Sequence, residues 1–349
     1  MRITGIASAL PEHRYPQAVL TETLKRFWAG QLESPDILDR VHARARVGAR
    51  HLAFPVERYA AFSSWGETNA AWMEAAQDLG ARALDAALAD SGLARDDLDA
   101  LFVVSITGVA SPSLDARLIN RMGLRPDIKR TPIFGVGCVG GALGLTRAAD
   151  YTLAHPDQRA ALVAVETCSL TFRSDDLSKT NIVASGLFGD GAAAVIVSGA
   201  ACGTDAPRIL ATKSAFYPGT EHIMGWDISE NGFRIVLSPE LPAFIRSRLA
   251  GDVDAFLSAH GLRRDDVGTW VIHTGGPKVL GAMQDALGLD DRHLERSWAC
   301  LNRVGNLSSA SVLLVLEDIL ANGRPDPGSL GLLLAMGPGF CSEMILLQW

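Results

Sequence analysis

Cys138 lies inside a glycine-rich run, residues 133–145 (IFGVGCVGGALGL), and two kinds of chemistry compete for it. Gly135, Gly137 and Gly140 spell G-x-G-x-x-G after an apolar stretch, the pattern that cradles a dinucleotide pyrophosphate. Glu166 ends the next apolar run, 26 residues past Gly140, near where a ribose-binding acid could stand. The second reading is a nucleophile. A thiol at a helix start feels unpaired N–H groups and the positive end of the helix dipole, which lower its pKa. A nearby histidine would complete the activation. Of the eight histidines, His13, His42, His51, His155, His222, His260 and His293 lie in polar or turn-like sequence. His273 ends the apolar run GTWVIH and enters TGGPK, a turn that would expose its ring at the C-terminal edge of a sheet, where α/β active sites gather. A core histidine bonded to a backbone carbonyl accounts for it equally well. Asn306 follows a glycine at another helix start, where Asn is also an ordinary cap.

The elements that would position these residues come in two copies. ALDAALADSGLARDD (83–97) and DVDAFLSAHGLRRDD (252–266) align without gaps at an offset of 169 and share eight of fifteen residues. Each reads as a helix ended by glycine, then a short acidic turn. Each is followed by a β-rich run, LDALFVVS (98–105) and VGTWVIHT (267–274). GCVGGALGL (137–145) then matches GNLSSASVL (305–313), and the strands ALVAVET (161–167) and GLLLAMG (331–337) close the series. Four elements in one order predict two α/β halves built on one plan, about a pseudo-two-fold axis, divided as 1–200 and 201–349. Cys138 and Asn306 then occupy equivalent places. The second copy has Ser308 and Ser309 where the first has Gly140 and Gly141, so the shared requirement is small side chains for close packing, and a phosphate cradle would need the glycines themselves.

The chain of 349 residues, 48% hydrophobic and 20% charged, is expected to be a soluble globular protein with a large core. Its net charge of −7 argues against general affinity for nucleic acid or acidic lipid. Five scattered cysteines without a C-x-x-C suit a reducing compartment and offer no zinc ribbon, so no metal is expected and the location is expected to be cytoplasmic. No apolar run reaches the ~20 residues of a membrane helix.

Taken together, GVGCVGGALGLTRAAD, LFGDGAAAVIV, VIHTGGPKVL, RVGNLSSASVLLVLED and MGPGF resemble the type III polyketide synthases, the chalcone-synthase-like branch of the thiolase fold. The likeness runs in order along nearly the whole chain and is weakest over residues 1–70 and 200–240. It implies a layered αβαβα body, a homodimer, and malonyl-CoA and acyl-CoA as substrates with no further cofactor. By position, Cys138 resembles the family's acylated nucleophile and His273 and Asn306 its partners. Phe188 of LFGDG resembles the aromatic gate between CoA tunnel and cavity.

The same resemblance brings Ile106, Thr107, Cys168, Thr171, Trp226 and Ser308 near the growing chain, with Ile235 in place of a second gating aromatic. Thr107 and Cys168 look like the residues that open an acyl tunnel in bacterial alkylpyrone- and alkylresorcinol-forming members, which implies a medium- or long-chain starter. Tetrahydroxynaphthalene synthases also carry cysteine at the position of Cys168, but have further cysteines where this chain has Ile106 and Thr171. DRVHARARVGAR (39–50) supplies Arg40, Arg44, Arg46 and Arg50. Arg40 and Arg44 share a helix face and match CoA-contacting positions, although a solvated face would look the same. The alternatives are a single-step β-ketoacyl synthase using a carrier protein, a non-catalytic thiolase-fold binding protein, and the dehydrogenase of the glycine motif.

Overall fold

The computed structural model describes every residue except 33, 35, 204 and 205. In the first half β1 (Arg2–Ala9) is followed by β2 (His13–Pro16), α1 (Gln17–Phe27), α2 (Asp36–Arg44), β3 (Ala49–Leu52) and the long α3 (Trp65–Ser91). Then come β4 (Ala100–Val104), α4 (Leu114–Met122), β5 (Lys129–Ile133), α5 (Gly140–Ala154), β6 (Arg159–Thr167), α6 (Lys179–Leu187) and β7 (Asp190–Ser198). The second half begins with β8 (Arg208–Phe216), the hairpin β9 (Met224–Ser229) and β10 (Gly232–Leu237), and α7 (Leu241–Ser258). It continues through β11 (Val267–Ile272), α8 (Pro277–Leu287), α9 (Asp291–Val304), α10 (Ser311–Asn322), β12 (Leu330–Gly337) and β13 (Cys341–Gln348).

Nine strands form one mixed sheet in the order β11-β12-β13-β8-β1-β7-β6-β4-β5. The order reads outward from its middle as two copies. β1 and β8 meet antiparallel at Arg2 and Arg208, and β7-β6-β4 on one side repeats β13-β12-β11 on the other. In each arm the outer pair is parallel and the inner pairs antiparallel. β5 has no counterpart among the described residues and leaves an exposed edge. The duplication reaches individual side chains. Arg95 grips Asp85 bidentately at 2.7 and 2.9 Å and donates to the Met122 carbonyl; Arg264 grips Asp254 at 2.7 and 2.9 Å and donates to the Leu287 carbonyl. Gly92 and Gly261 carry the same left-handed φ, 67° and 70°, just beyond the two equivalent helices.

The sheet folds about α5 and α10, which form a central layer. Leu145 and Ala149 of α5 and Val312 and Leu316 of α10 share one core with Leu162 and Val195 of the first half and Leu333 and Ile345 of the second. The opposite faces of the two arms are covered by α3 and α4 and by α7, α8 and α9. The result is the layered αβαβα thiolase-like body, and its two central helix starts meet at the chemistry.

Candidate active site

Cys138 sits in a single 3-10 turn, Gly137–Val139, that runs directly into α5. The glycines around it are filled by protein. A Cβ on Gly140 would lie 2.6 Å from Val104 Cγ1, and one on Gly141 would lie 2.2 Å from the Ser309 carbonyl. They let α5 close onto β4 and onto the start of α10, which leaves no cradle for a pyrophosphate. The start of α10 differs from that of α5. Asn306 is drawn into a parallel bridge with Phe188, with Asn306 N–H donating to Leu187 O at 2.9 Å and Gly189 N–H to Asn306 O at 3.0 Å. The helical turn there begins later, at Ser308.

Cys138, His273, Asn306 and Phe188 line one cavity. Its volume of about 60 Å³ is several times the ~10–15 Å³ that one water requires. The Asn306 side chain is oriented: Oδ1 accepts from Ser308 N–H at 2.8 Å and from Ser311 Oγ at 3.3 Å. Both bonds fall on the oxygen, which leaves the Nδ2 donors for the cavity. His273 follows β11, its N–H donating to Leu334 O at 3.0 Å, while both ring nitrogens are buried without a partner among the described residues. A core histidine held by a carbonyl is therefore not what is found. Such nitrogens are available to a ligand.

The electrostatics correct one expectation. Burial pushes the Cys138 thiol up to about 11, against the hydrogen bond it makes with Ser308, with the Glu166 charge adding to the rise. Burial likewise lowers His273 to about 4. Its position ahead of a helix does not lower this thiol's pKa, because burial disfavours the charged form. Neither charge is stable alone. Burial thus disfavours the charged form of both the thiol and the imidazole.

Residues 3–201 match the N-terminal domain of the chalcone and stilbene synthases and residues 208–349 their C-terminal domain. The chain belongs to that family. It is thus a type III polyketide synthase, a Claisen-type condensing acyltransferase of a family that uses CoA thioesters without an additional cofactor. It is 51% identical over 350 residues to the 1,3,6,8-tetrahydroxynaphthalene synthase of Streptomyces peucetius subsp. caesius, covering 99% of this chain and 93% of the relative. It is 33% identical to a putative chalcone synthase of Bacillus subtilis (99% and 98% covered). The crystal structure of the Streptomyces coelicolor A3(2) tetrahydroxynaphthalene synthase superposes with a TM-score of 0.94 at 31% identity, covering 100% of this chain and 99% of that one.

Within this synthase the expected cavity residues divide. Cys168, Trp226, Ser308, Ile106 and Ile235 line the cavity, the last on the β9–β10 hairpin opposite Trp226. Thr107 and Thr171 are not among the lining residues. Thr107 donates to Glu166 at 3.0 Å and accepts from Thr167 N–H at 3.0 Å, and the Thr171 hydroxyl donates to the Cys168 carbonyl at 2.8 Å. The four arginines divide as well. Arg40 and Arg44 stand exposed on α2, and no described carboxylate pairs with either. Arg46 lies over the Trp298 ring at 4.4 Å. Arg50 is turned inward, 5% exposed, because its guanidinium finds acceptors at Gln17 and at the Phe188 carbonyl.

Sequence reasoning named Glu166 only as a ribose-binding acid in the dinucleotide reading and missed it as a neighbour of this site. Glu166 is fully buried, accepts from Ile106 N–H and Thr107, and is joined by the Ser309 hydroxyl. Burial raises its carboxyl to about 7. The available signal was a single acid inside the otherwise apolar β6. Among the described residues, no cluster of His, Cys, Asp or Glu could hold a metal, and no helix is long and apolar enough to cross a membrane.

Proposed function

We propose that this synthase takes malonyl-CoA as both starter source and extender and closes a pentaketide to a tetrahydroxynaphthalene-type product. The observation that carries the reading is the 51% identity, along 99% of the chain, to an enzyme of that name. Cys168 in the cavity wall supports it. In the mechanism Cys138 passes its proton to His273 as its sulfur attacks a CoA thioester. The acyl group is transferred to sulfur, and CoA leaves with the proton. A second malonyl-CoA then binds with its thioester oxygen toward His273 and the Asn306 amide. Loss of CO2 leaves an enolate whose charge these two donors stabilise, each such donor being worth about 3 kcal/mol in a dry site. The enolate carbon attacks the Cys138 thioester and displaces the Cys138 sulfur, which takes up a proton; the chain, two carbons longer and now on CoA, is transferred back to Cys138 for the next extension, and Phe188 keeps bulk water from the reacting groups.

A second reading, a medium- or long-chain acyl-CoA starter leading to an alkylpyrone or resorcinol, draws support from the apolar wall of Met224, Trp226, Ile235 and Leu237. The proposal includes CoA contact by Arg40 and Arg44 and a cytoplasmic location, in keeping with five unpaired cysteines. It also includes a homodimer. β5 is an exposed edge strand followed by Phe134, 47% exposed, and such edges call for cover.

Purified protein is given malonyl-CoA alone, then with acyl-CoA starters of graded length, and the products are weighed by mass spectrometry beside Cys138→Ala. A naphthalene product from malonyl-CoA alone, absent from the variant, is expected. Products carrying the intact starter would establish the second reading. Turnover only with malonyl-carrier protein would refute both.

A further inference from the structure

Arg50 and Gln17 are buried polar residues outside the reacting groups, 5% and 8% exposed. A buried guanidinium is costly unless fully partnered, so its partners show what it holds. Arg50 Nε donates to Gln17 Oε1 at 3.0 Å, and a terminal nitrogen donates to the Phe188 carbonyl at 2.9 Å. Gln17 in turn donates through Nε2 to the Gly186 carbonyl at 2.7 Å. The intervening Leu187 carbonyl is taken by the Asn306 N–H. Three successive carbonyls around the gate are thus pinned, two of them by this side-chain pair.

The same arginine also touches the other side of the bridge. Its stem runs over Gly189 and Gly305, where an added Cβ would lie 3.6 and 3.3 Å from Arg50 Cγ. Those glycines directly follow Phe188 and precede Asn306. The charge is held in place by Asp190, which favours the guanidinium while burial lowers it to about 10. No substrate-facing role is available to a side chain so enclosed. Its location at both strands of the Phe188–Asn306 bridge has a specific consequence, because that bridge orients the gate and the amide together.

We propose that Arg50 and Gln17 form a positioning clamp on the Phe188–Asn306 bridge, holding the Asn306 amide in register for malonyl decarboxylation and leaving the thiol chemistry of Cys138 unaffected. The second half of that statement rests on the function proposed above. The clamp itself is testable without it.

The test uses Arg50→Met, which keeps volume and removes the donors, with Arg50→Lys as the conservative variant and Gln17→Leu as an independent one. Hydrogen exchange read by mass spectrometry in peptides spanning 184–190 and 302–309 is expected to rise about tenfold in Arg50→Met. The kcat for CO2 release from malonyl-CoA is expected to fall about ten- to a hundredfold, the scale of an ångström-sized misplacement. Alkylation of Cys138 by iodoacetamide should stay near the wild-type rate, and Arg50→Lys should recover part of the decarboxylation. Unchanged exchange in both peptides overturns the clamp, as does a parallel loss of alkylation and decarboxylation in folded protein. If Arg50→Met does not fold, Gln17→Leu decides by the same readouts. Wild-type protein that releases no CO2 refutes the proposed function, and the exchange measurement then decides the clamp alone.

Discussion

Replacing Gly141 by alanine puts the close packing of the two central helices to a quantitative test. The new Cβ would sit 2.2 Å from the Ser309 carbonyl oxygen, 3.1 Å from Val312 and 3.3 Å from Leu313, where ordinary contact begins at 3.4 Å. The gap to be found is therefore about 1 Å, against a backbone atom. It cannot come from side-chain motion, because Ala142, Leu145, Val312 and Leu313 are all fully buried. Overpacking of this kind costs about 1–3 kcal/mol, set against a helix-propensity gain of about 1 kcal/mol. Gly251, inside α7, provides the control, because nothing lies within 4 Å of its would-be Cβ. Gly251→Ala should stabilise by about 0.5–1 kcal/mol. The same chemical change at two helical glycines is thus expected to differ in sign in urea or thermal unfolding. Displacing Ser309 also disturbs its bond to Glu166 and the adjacent Ser308 beside Cys138, so condensation should fall in Gly141→Ala and persist in Gly251→Ala. A Gly141→Ala protein as stable and active as Gly251→Ala would refute the packing argument.

Glu166→Gln addresses the raised carboxyl. Since the folded pKa is about 7 against an unfolded value of 4.5, stability held below pH 4.5 is lost as the pH rises to 7. The variant should therefore gain on wild type by about 3 kcal/mol across that window. Because the Glu166 charge helps hold the Cys138 thiol up, iodoacetamide alkylation above pH 7 should also be faster in the variant, and equal rates would count against the coupling. Ser311→Ala removes one of two bonds to Asn306 Oδ1 and strands the Leu307 N–H, which donates to Ser311 at 2.7 Å. A loss of about 1–3 kcal/mol is expected in denaturant titration, with decarboxylation falling more than Cys138 alkylation. Arg40→Ala with Arg44→Ala should raise KM for malonyl-CoA about five- to twentyfold at low salt with little change in kcat, and less at high salt. An unchanged KM would make both arginines merely solvated.

How far the sequence reached depended on the range of the interaction. Helix ends at Gly92 and Gly261, the repeated acidic turns and the apolar strands are local patterns, and they made the duplication legible before any coordinates. Once two halves were recognised, Cys138 and Asn306 fell at equivalent helix starts and His273 at a strand end. The family motifs added Phe188, Trp226 and Cys168, all of which line the cavity. Direction and burial were not legible. Thr107 and Thr171 have the right neighbours in sequence, yet their hydroxyls find nearer partners in Glu166 and the Cys168 carbonyl. Arg46 and Arg50 sit in the same basic run as Arg40 and Arg44. One stacks on Trp298 and the other turns inward, because the Phe188 carbonyl, 138 residues away, accepts from it.

The sequence alone determined the two-copy α/β plan and set a thiol, an imidazole and an amide at element ends, because periodicity, capping and residue type are short-range properties; it was the family resemblance that joined those three residues to acyl transfer. Only the tertiary structure decided that burial disfavours the charged forms of Cys138 and His273, that Glu166 is buried behind them, and that a buried arginine reaches the Phe188 carbonyl. Desolvation and hydrogen-bond partnership depend on which distant segments the fold brings together, and no local pattern encodes that.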